Sequence, residues 1–238
     1  MPTFDQQPGS NSPSEFEIYW ISGSTPAWRV LLTLELKELQ YQSHILSTAN
    51  KDQKQAWFLE LNPRGQIPLL KHGERCITES LAIMYYLEKT QPQPSLSGSN
   101  SSGSDLAEYA LVQQTVQEIL AYVDKPIAAY VQPVFRNKID SNRQSIEQSI
   151  VTIKTELQLI NELLRQKTWL CGESISFADI MLIPTLQRLL RAINKAPQLA
   201  ADTGMSSLTE DYPHLAGWNQ RVESLEAFDK SFPPHWKE

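Results

Sequence analysis

The sequence predicts a two-domain protein in which an α/β domain with a small open sheet precedes an all-helical domain. Over residues 16–90, short β-prone runs alternate with helical periodicity in the order βαβαββα. A stretch rich in Pro, Ser and Gly at 91–104 ends this pattern, and only helical periodicity follows over 105–238. The length of 238 residues is sufficient for two moderate hydrophobic cores.

Local patterns place the elements of the first domain. Apolar, β-branched and aromatic residues mark its strands, and apolar residues at helical spacing mark its helices. Strands are expected at 16–21, 41–46, 67–70 and 75–77, and helices at 27–39, 52–61 and 79–89. The first two strands should pair in parallel through a right-handed crossover. This order is that of a thioredoxin-like domain, an open sheet with helices on both faces.

The second domain is predicted to contain helices at 105–130, 142–166, 177–194 and 215–222. Its segment SISFADI at 174–180 contains a capping box. Ser176 can accept a hydrogen bond from the N–H of Asp179, whose side chain can reach back to the N–H of Ser176. We interpret both residues as structural.

Composition limits the partners and surroundings of the chain. Residues 1–15 are polar and cannot offset their ordering entropy, so they are predicted to be a disordered tail, and 91–104 has the composition of a flexible linker. A net charge of −6 without a basic block argues against nucleic-acid and membrane-surface partners. No targeting or membrane-spanning segment is evident, which predicts a soluble cytoplasmic protein.

The most informative motifs are NPRGQIPLL at 62–70 and TESLAI at 78–83. Pro68 lacks an N–H, so within an apolar run it indicates an edge or a turn, and it permits a cis peptide bond before it. Ile67 then keeps its backbone groups available to an extended peptide. Glu79 and Ser80 open a helix whose N–H groups and dipole favour a carboxylate. Together these features predict a site for a small anionic peptide.

The spacing of these motifs resembles that of the glutathione transferases, and the resemblance extends from about residue 16 to about residue 230. It implies that glutathione is the cosubstrate and that its cysteinyl backbone lies against Ile67 and a cis Pro68. It also places Gln66 near the glycyl or cysteinyl end of glutathione. Glu79 and Ser80 would then hold the γ-glutamyl end.

Lys54 is a further candidate from the resemblance, because some tau-like members place a lysine near the glycyl carboxylate. The alternative is that Lys54 is a solvated charge on a helix. No metal is expected, since the two cysteines, Cys76 and Cys171, lie far apart and match no metal-binding spacing. Each cysteine is interpreted as a small core residue.

The reactive group is expected where the first strand turns into the first helix, in SGSTPAWRV at 22–30. Thr25 is predicted as the N-cap of this helix with Pro26 at its first position, so the positive helix end faces the turn. Ser24 and Arg29 match the spacing of the serine-type transferases (theta, tau and zeta classes). The resemblance implies that the hydroxyl of Ser24 donates a hydrogen bond to the glutathione sulfur and favours its thiolate.

Two alternatives to a catalytic Ser24 remain open. Ser24 could simply be a turn residue that bonds to the local backbone. Tyr19 is a rival donor, because tyrosine-type transferases place theirs in the first strand, although packing within the strand would also explain this residue.

The resemblance implies an enzyme that adds glutathione to a small electrophile, by conjugation or a related peroxide reduction, and that forms a homodimer. Glutathione-dependent isomerisation and a non-catalytic binding or assembly module are the alternatives. Thr25, Pro26 and Ala27 stand where zeta-like isomerases usually have Ser, Cys and Ser, which disfavours the first. Apolar and aromatic candidates for the electrophile pocket are Tyr109, Val112, Val116, Tyr122 and Tyr130.

Overall fold

The computed structural model describes residues 16–98 and 106–237 and confirms the fold class, a thioredoxin-like domain followed by an all-helical domain. The strands are β1 (Phe16–Trp20), β2 (Tyr41–Ile45), β3 (Leu69–His72) and β4 (Arg75–Thr78). The helices of the first domain are α1 (Thr25–Leu36), α2 (Ala56–Leu61) and α3 (Ser80–Thr90). The predicted tail at 1–15 lies outside the described residues.

The helical domain contains α4 (Leu106–Glu118), α5 (Asp124–Phe135), α6 (Arg143–Leu164), α7 (Phe177–Lys195), α8 (Pro197–Asp202), α9 (Leu208–Asp211), α10 (Pro213–Glu223) and α11 (Glu226–Ser231). A π-helical turn at Ile119–Val123 joins α4 to α5. The sequence did not predict α8, α9 or α11, because their 4 to 6 residues are too few to show helical periodicity.

The sheet has the strand order β2-β1-β3-β4. As predicted, β1 and β2 are parallel, with Phe16 opposite Tyr41. Strand β3 is antiparallel to β1 and to β4. The fully buried Ile18 and Leu70 belong to the main core with α1 and α3, whereas Leu69 packs with the buried Phe58 of α2 in a smaller cluster. Alternation along the strands thus supplies apolar side chains to both faces of the sheet.

Arg29 joins the two domains. Its side chain is 3% exposed, and its Nη2 lies 2.7 Å from both carboxylate oxygens of Asp124 in α5. The same guanidinium donates to the carbonyl of Met181 and to Oγ1 of Thr185, both in α7. Because a buried guanidinium requires such partners, these contacts fix α1 against the helical domain.

The first half of the predicted linker is held in place by a buried ion pair. Nζ of Lys37 lies 2.6 Å from Glu88, whose carboxylate accepts hydrogen bonds from the N–H groups of Leu96 and Ser97 at 3.1 Å. The carbonyl of Leu96 in turn accepts from the N–H of Phe177 at 2.7 Å. Residues 91–98 are therefore fixed between the domains, in contrast to the flexibility expected from their composition; residues 99–105 lie outside the described chain.

The cysteines differ from the expectation that both belong to the core. Cys171 is buried, but Cys76 is exposed because it lies on β4, the edge strand of the sheet. Between residues 16 and 237, leaving aside 99–105, no group of three or more His, Cys, Asp or Glu residues could hold a metal ion. No helix in the same described part is long and apolar enough to cross a membrane.

Candidate active site

Three segments of the first domain meet at one end of the sheet. Tyr19 of β1 lies opposite Leu69 of β3, and Leu69 lies opposite Thr78 of β4. The turn after β1, the residues before β3 and the residues after β4 are therefore neighbours. These three segments contain the candidates Ser24, Gln66, Ile67, Pro68, Glu79 and Ser80.

Ser24 is the N-cap of α1, with extended backbone angles (φ −74°, ψ 114°). Thr25 is the first helical residue, so the prediction that Thr25 caps the helix is wrong. Oγ of Ser24 accepts a hydrogen bond from the N–H of Ala27 at 3.4 Å, a long distance for such a bond. Its own proton has no acceptor among the described residues. The hydroxyl can therefore donate to an anion at the positive end of a 12-residue helix.

The C-terminal segment covers the turn that precedes Ser24. Oγ of Ser22 lies 2.6 Å from Nδ1 of His235, and a Cβ at Gly23 would lie 2.8 Å from the same imidazole ring. Trp236 packs edge-on against Trp28 of α1. Gly23 has φ +83° and closely approaches this segment, and both features require glycine. The hydroxyl of Ser22 is therefore occupied, and no sequence signal had indicated His235.

The segment before β3 presents backbone groups to an extended ligand. The Ile67–Pro68 peptide bond is cis. The N–H and C=O of Ile67 make no hydrogen bond with any residue that the structure describes. The carbonyl of Gln66 accepts from Nδ2 of Asn62 at 2.8 Å, while its side chain is exposed. One free donor and one free acceptor thus lie on the same residue, as pairing with an added strand requires.

Glu79 and Ser80 offer adjacent binding positions for a positively charged group and a negatively charged group. Glu79 precedes α3 with φ +68°, which is uncommon for a residue with a Cβ and is often found at binding sites. Its exposed carboxylate makes no hydrogen bond or ion pair within the described chain. Ser80 begins α3, whose first N–H groups lack helical partners. A carboxylate beside a helix start suits the ammonium and carboxylate groups of an amino acid.

Lys54 holds the loop that leads into the candidate binding segment. Its Nζ donates to the carbonyl of Arg64 at 3.2 Å and to that of Gly65 at 2.8 Å. Gln66 follows directly. The ammonium group of Lys54 therefore positions this loop, and its positive charge lies beside Gly65, the residue before Gln66.

The hydroxyl of Tyr19 has an internal partner. It donates to Oε2 of Glu17 at 3.0 Å, and its ring stacks on His44 with centroids 4.4 Å apart. Burial and the hydrogen bond to Glu17 raise the pKa of Tyr19. A phenol that already donates to a carboxylate is a poor donor to a second anion, which favours Ser24 over its rival.

Comparison with known proteins places this arrangement in a family. The glutathione S-transferase N-terminal domain model matches residues 23–90, and the glutathione S-transferase C-terminal domain model matches residues 122–226. The chain is 30% identical to glutathione S-transferase A of Pleuronectes platessa over 233 residues, 94% of each chain. It is 27% identical to maleylacetoacetate isomerase of Mus musculus over 222 residues, 91% of each.

The solved structure of a glutathione S-transferase from the Antarctic clam Laternula elliptica gives a TM-score of 0.79 at 28% identity and covers 94% of each chain. The likeness therefore includes both domains and their mutual arrangement, not the thioredoxin-like part alone. Both family models match in chain order, and the relative from Pleuronectes platessa is 30% identical over nearly the full length. This chain therefore belongs to the glutathione S-transferase family.

Proposed function

We propose that this protein is a serine-type glutathione transferase that holds glutathione as a thiolate and adds it to an electrophilic carbon. The observation that carries the proposal is the hydroxyl of Ser24 at the start of α1, whose hydrogen has no acceptor among the described residues. The free backbone groups of Ile67 lie at the same end of the sheet. A cysteinyl residue paired with Ile67 would bring its sulfur toward this hydroxyl.

The remaining candidates account for the other parts of the tripeptide. The backbone of Ile67, beside Pro68, pairs with the cysteinyl residue. The carboxylate of Glu79 takes the γ-glutamyl ammonium group, and the helix start at Ser80 takes the α-carboxylate. Gln66 and Lys54 serve the glycyl end, where a positive charge favours its carboxylate.

The chemistry needs only a stabilised thiolate. A free cysteine thiol has a pKa of about 8.5, and donors or a helix start lower it, each unit corresponding to about 1.4 kcal/mol. The proton passes to solvent, the sulfur forms a bond to the electrophilic carbon, and a leaving group departs with its electron pair. The nucleophile belongs to glutathione, so the protein supplies the anion's environment and no catalytic base triad.

The test is a conjugation assay with glutathione and a neutral chlorodinitrobenzene. We expect enzyme-dependent formation of the thioether above the solution rate, because ionised sulfur is the reactive species. Retention on immobilised glutathione without any turnover would contradict the proposal and support a non-catalytic binding module. Isomerisation of a cis-enone acid without a conjugate product would instead assign the isomerase reaction that the name of the mouse relative describes.

We further infer that the protein acts in the cytoplasm as a homodimer, with the thioredoxin-like domain of one subunit against the helical domain of the other. Support comes from large apolar side chains exposed on helices of the second domain. These side chains include Leu106, Tyr109, Val151 and Leu159. A solution mass equal to that of one 27.1 kDa chain would contradict the dimer.

A further inference from the structure

A cleft with a mixed apolar and charged lining lies beside the start of α1. It has a volume of about 230 Å³ and is lined by Thr25, Asp124, Ile127, Thr185 and Arg188, among others. Thr25 directly follows Ser24, so the cleft borders the residue next to the proposed donor to the sulfur. None of the aromatic and apolar residues suggested from the sequence for the electrophile pocket lines it.

The one acidic residue that lines this cleft, Asp124, already has an ion-pair partner in Arg29. Both oxygens of Asp124 lie 2.7 Å from Nη2 of Arg29, and Oδ1 also accepts from Oγ1 of Thr185 at 2.6 Å. Little acceptor capacity therefore remains on this carboxylate for a second guanidinium.

Arg188, in contrast, makes no hydrogen bond or ion pair with any described residue. It projects from α7 and is partly buried. Burial and the charge of Arg136 lower the pKa of Arg188. A partly desolvated guanidinium without an acceptor is unfavourable, and an anion placed between its donors would relieve that cost.

The surroundings of Arg188 are cationic. A neighbouring cleft of about 550 Å³ shares Ala128 with the first and is lined by Arg136 and Lys138 but by no acidic residue. Together the two linings carry four basic residues (Lys125, Arg188, Arg136 and Lys138) and a single acidic one, Asp124. On a chain of net charge −6, this concentration of positive charge favours an anionic ligand locally.

We propose that Arg188 determines substrate specificity by binding a carboxylate of the electrophilic cosubstrate, so that the enzyme prefers acidic electrophiles to their neutral counterparts. This inference rests on the proposed glutathione conjugation. A guanidinium binds a carboxylate through two parallel N–H donors, which would fix the electrophile as well as attract it. None of the residues proposed to bind glutathione lines this cleft, so we expect glutathione binding to be independent of Arg188.

The test compares a chlorodinitrobenzoate with its methyl ester. In both reactions the sulfur bonds to the ring carbon, chloride departs with its electron pair, and the thiol proton passes to solvent. For Arg188→Gln we expect kcat/KM to fall roughly 10- to 100-fold with the carboxylate and less than about 3-fold with the ester. Arg188→Lys should restore part of the loss, and Arg165→Gln, at an exposed arginine on the surface, should change neither value.

An equal loss with both compounds would show a structural role for Arg188 and overturn the inference, as would no loss with either. If the unmodified protein conjugates neither compound, the proposed function fails, and binding of dinitrobenzoate without a leaving group decides the inference. We then expect Arg188→Gln to raise the dissociation constant of dinitrobenzoate roughly 10-fold or more. Unchanged binding would overturn it.

Discussion

Replacing Ser24 with alanine is expected to lower kcat/KM for conjugation roughly 10- to 100-fold. The hydroxyl of Ser24 is the free donor at the start of α1, and a hydrogen bond to a charged acceptor contributes about 1.5–3 kcal/mol. Its loss should raise the pKa of the bound thiol and so reduce the thiolate fraction at neutral pH. Steady-state rates with a neutral aryl halide give the measurement.

Matched variants separate this effect from damage to the fold. Ser22→Ala removes a hydroxyl two residues away that is bonded to His235, and we expect a much smaller loss. Ser24→Thr keeps a hydroxyl and should recover part of the rate. Loss of the N-cap itself costs about 1 kcal/mol, which urea unfolding would reveal. If Tyr19→Phe reduced the rate more than Ser24→Ala, the donor would be Tyr19.

Replacing Asp179 with alanine is expected to destabilise the helical domain by roughly 3–5 kcal/mol. This side chain is fully buried and accepts four hydrogen bonds. The donors are the N–H of Leu170 at 3.0 Å, the N–H and Oγ of Ser176 at 2.9 and 3.0 Å, and Nε1 of Trp218 at 2.8 Å. Alanine would leave these buried donors without an acceptor. The expected loss is a large part of the free energy of unfolding of a typical domain, about 5–15 kcal/mol.

The urea midpoint of unfolding measures this effect. Asp179→Asn keeps one carbonyl oxygen and should cost less than the alanine variant. Asp202→Ala is the control, since Asp202 lies exposed at the end of α8 and the one hydrogen-bond partner of its side chain among the described residues is Gln198. We expect Asp202→Ala to change stability by less than about 0.5 kcal/mol. Equal midpoints for the two alanine variants would show that the box at Ser176 and Asp179 does not hold α7 to its neighbours.

The location of the candidate site could be predicted because its signals are local. Proline and helix-start residues have local backbone roles, so Pro68 indicated an interruption of the chain, which lies just before the inner strand β3, and Glu79 and Ser80 indicated the start of α3. The register then explains why these segments lie together, since Leu69 pairs with both Tyr19 and Thr78. Periodicity likewise predicted the long helices, although not their exact ends.

The remaining features depend on contacts between distant residues. Ser22 and His235 are 213 positions apart, so nothing near either residue indicates their contact. Arg29 matched a family spacing, but its role in joining the domains depends on Asp124 in another domain. Thr25 was favoured as N-cap by its side chain, whereas the backbone turn gives that position to Ser24. Arg188 belongs to no sequence motif, and only its partial burial in the cleft distinguishes it from the exposed arginines.

The most direct test of the account is the pKa of the glutathione thiol in the complex, followed by the ultraviolet absorbance of the thiolate as pH is varied. If Ser24 and the start of α1 stabilise the anion, the bound thiol will titrate at least about one unit below the ordinary thiol value of about 8.5. The Ser24→Ala variant should shift this midpoint upward. A bound thiol that titrates like free glutathione would contradict the account.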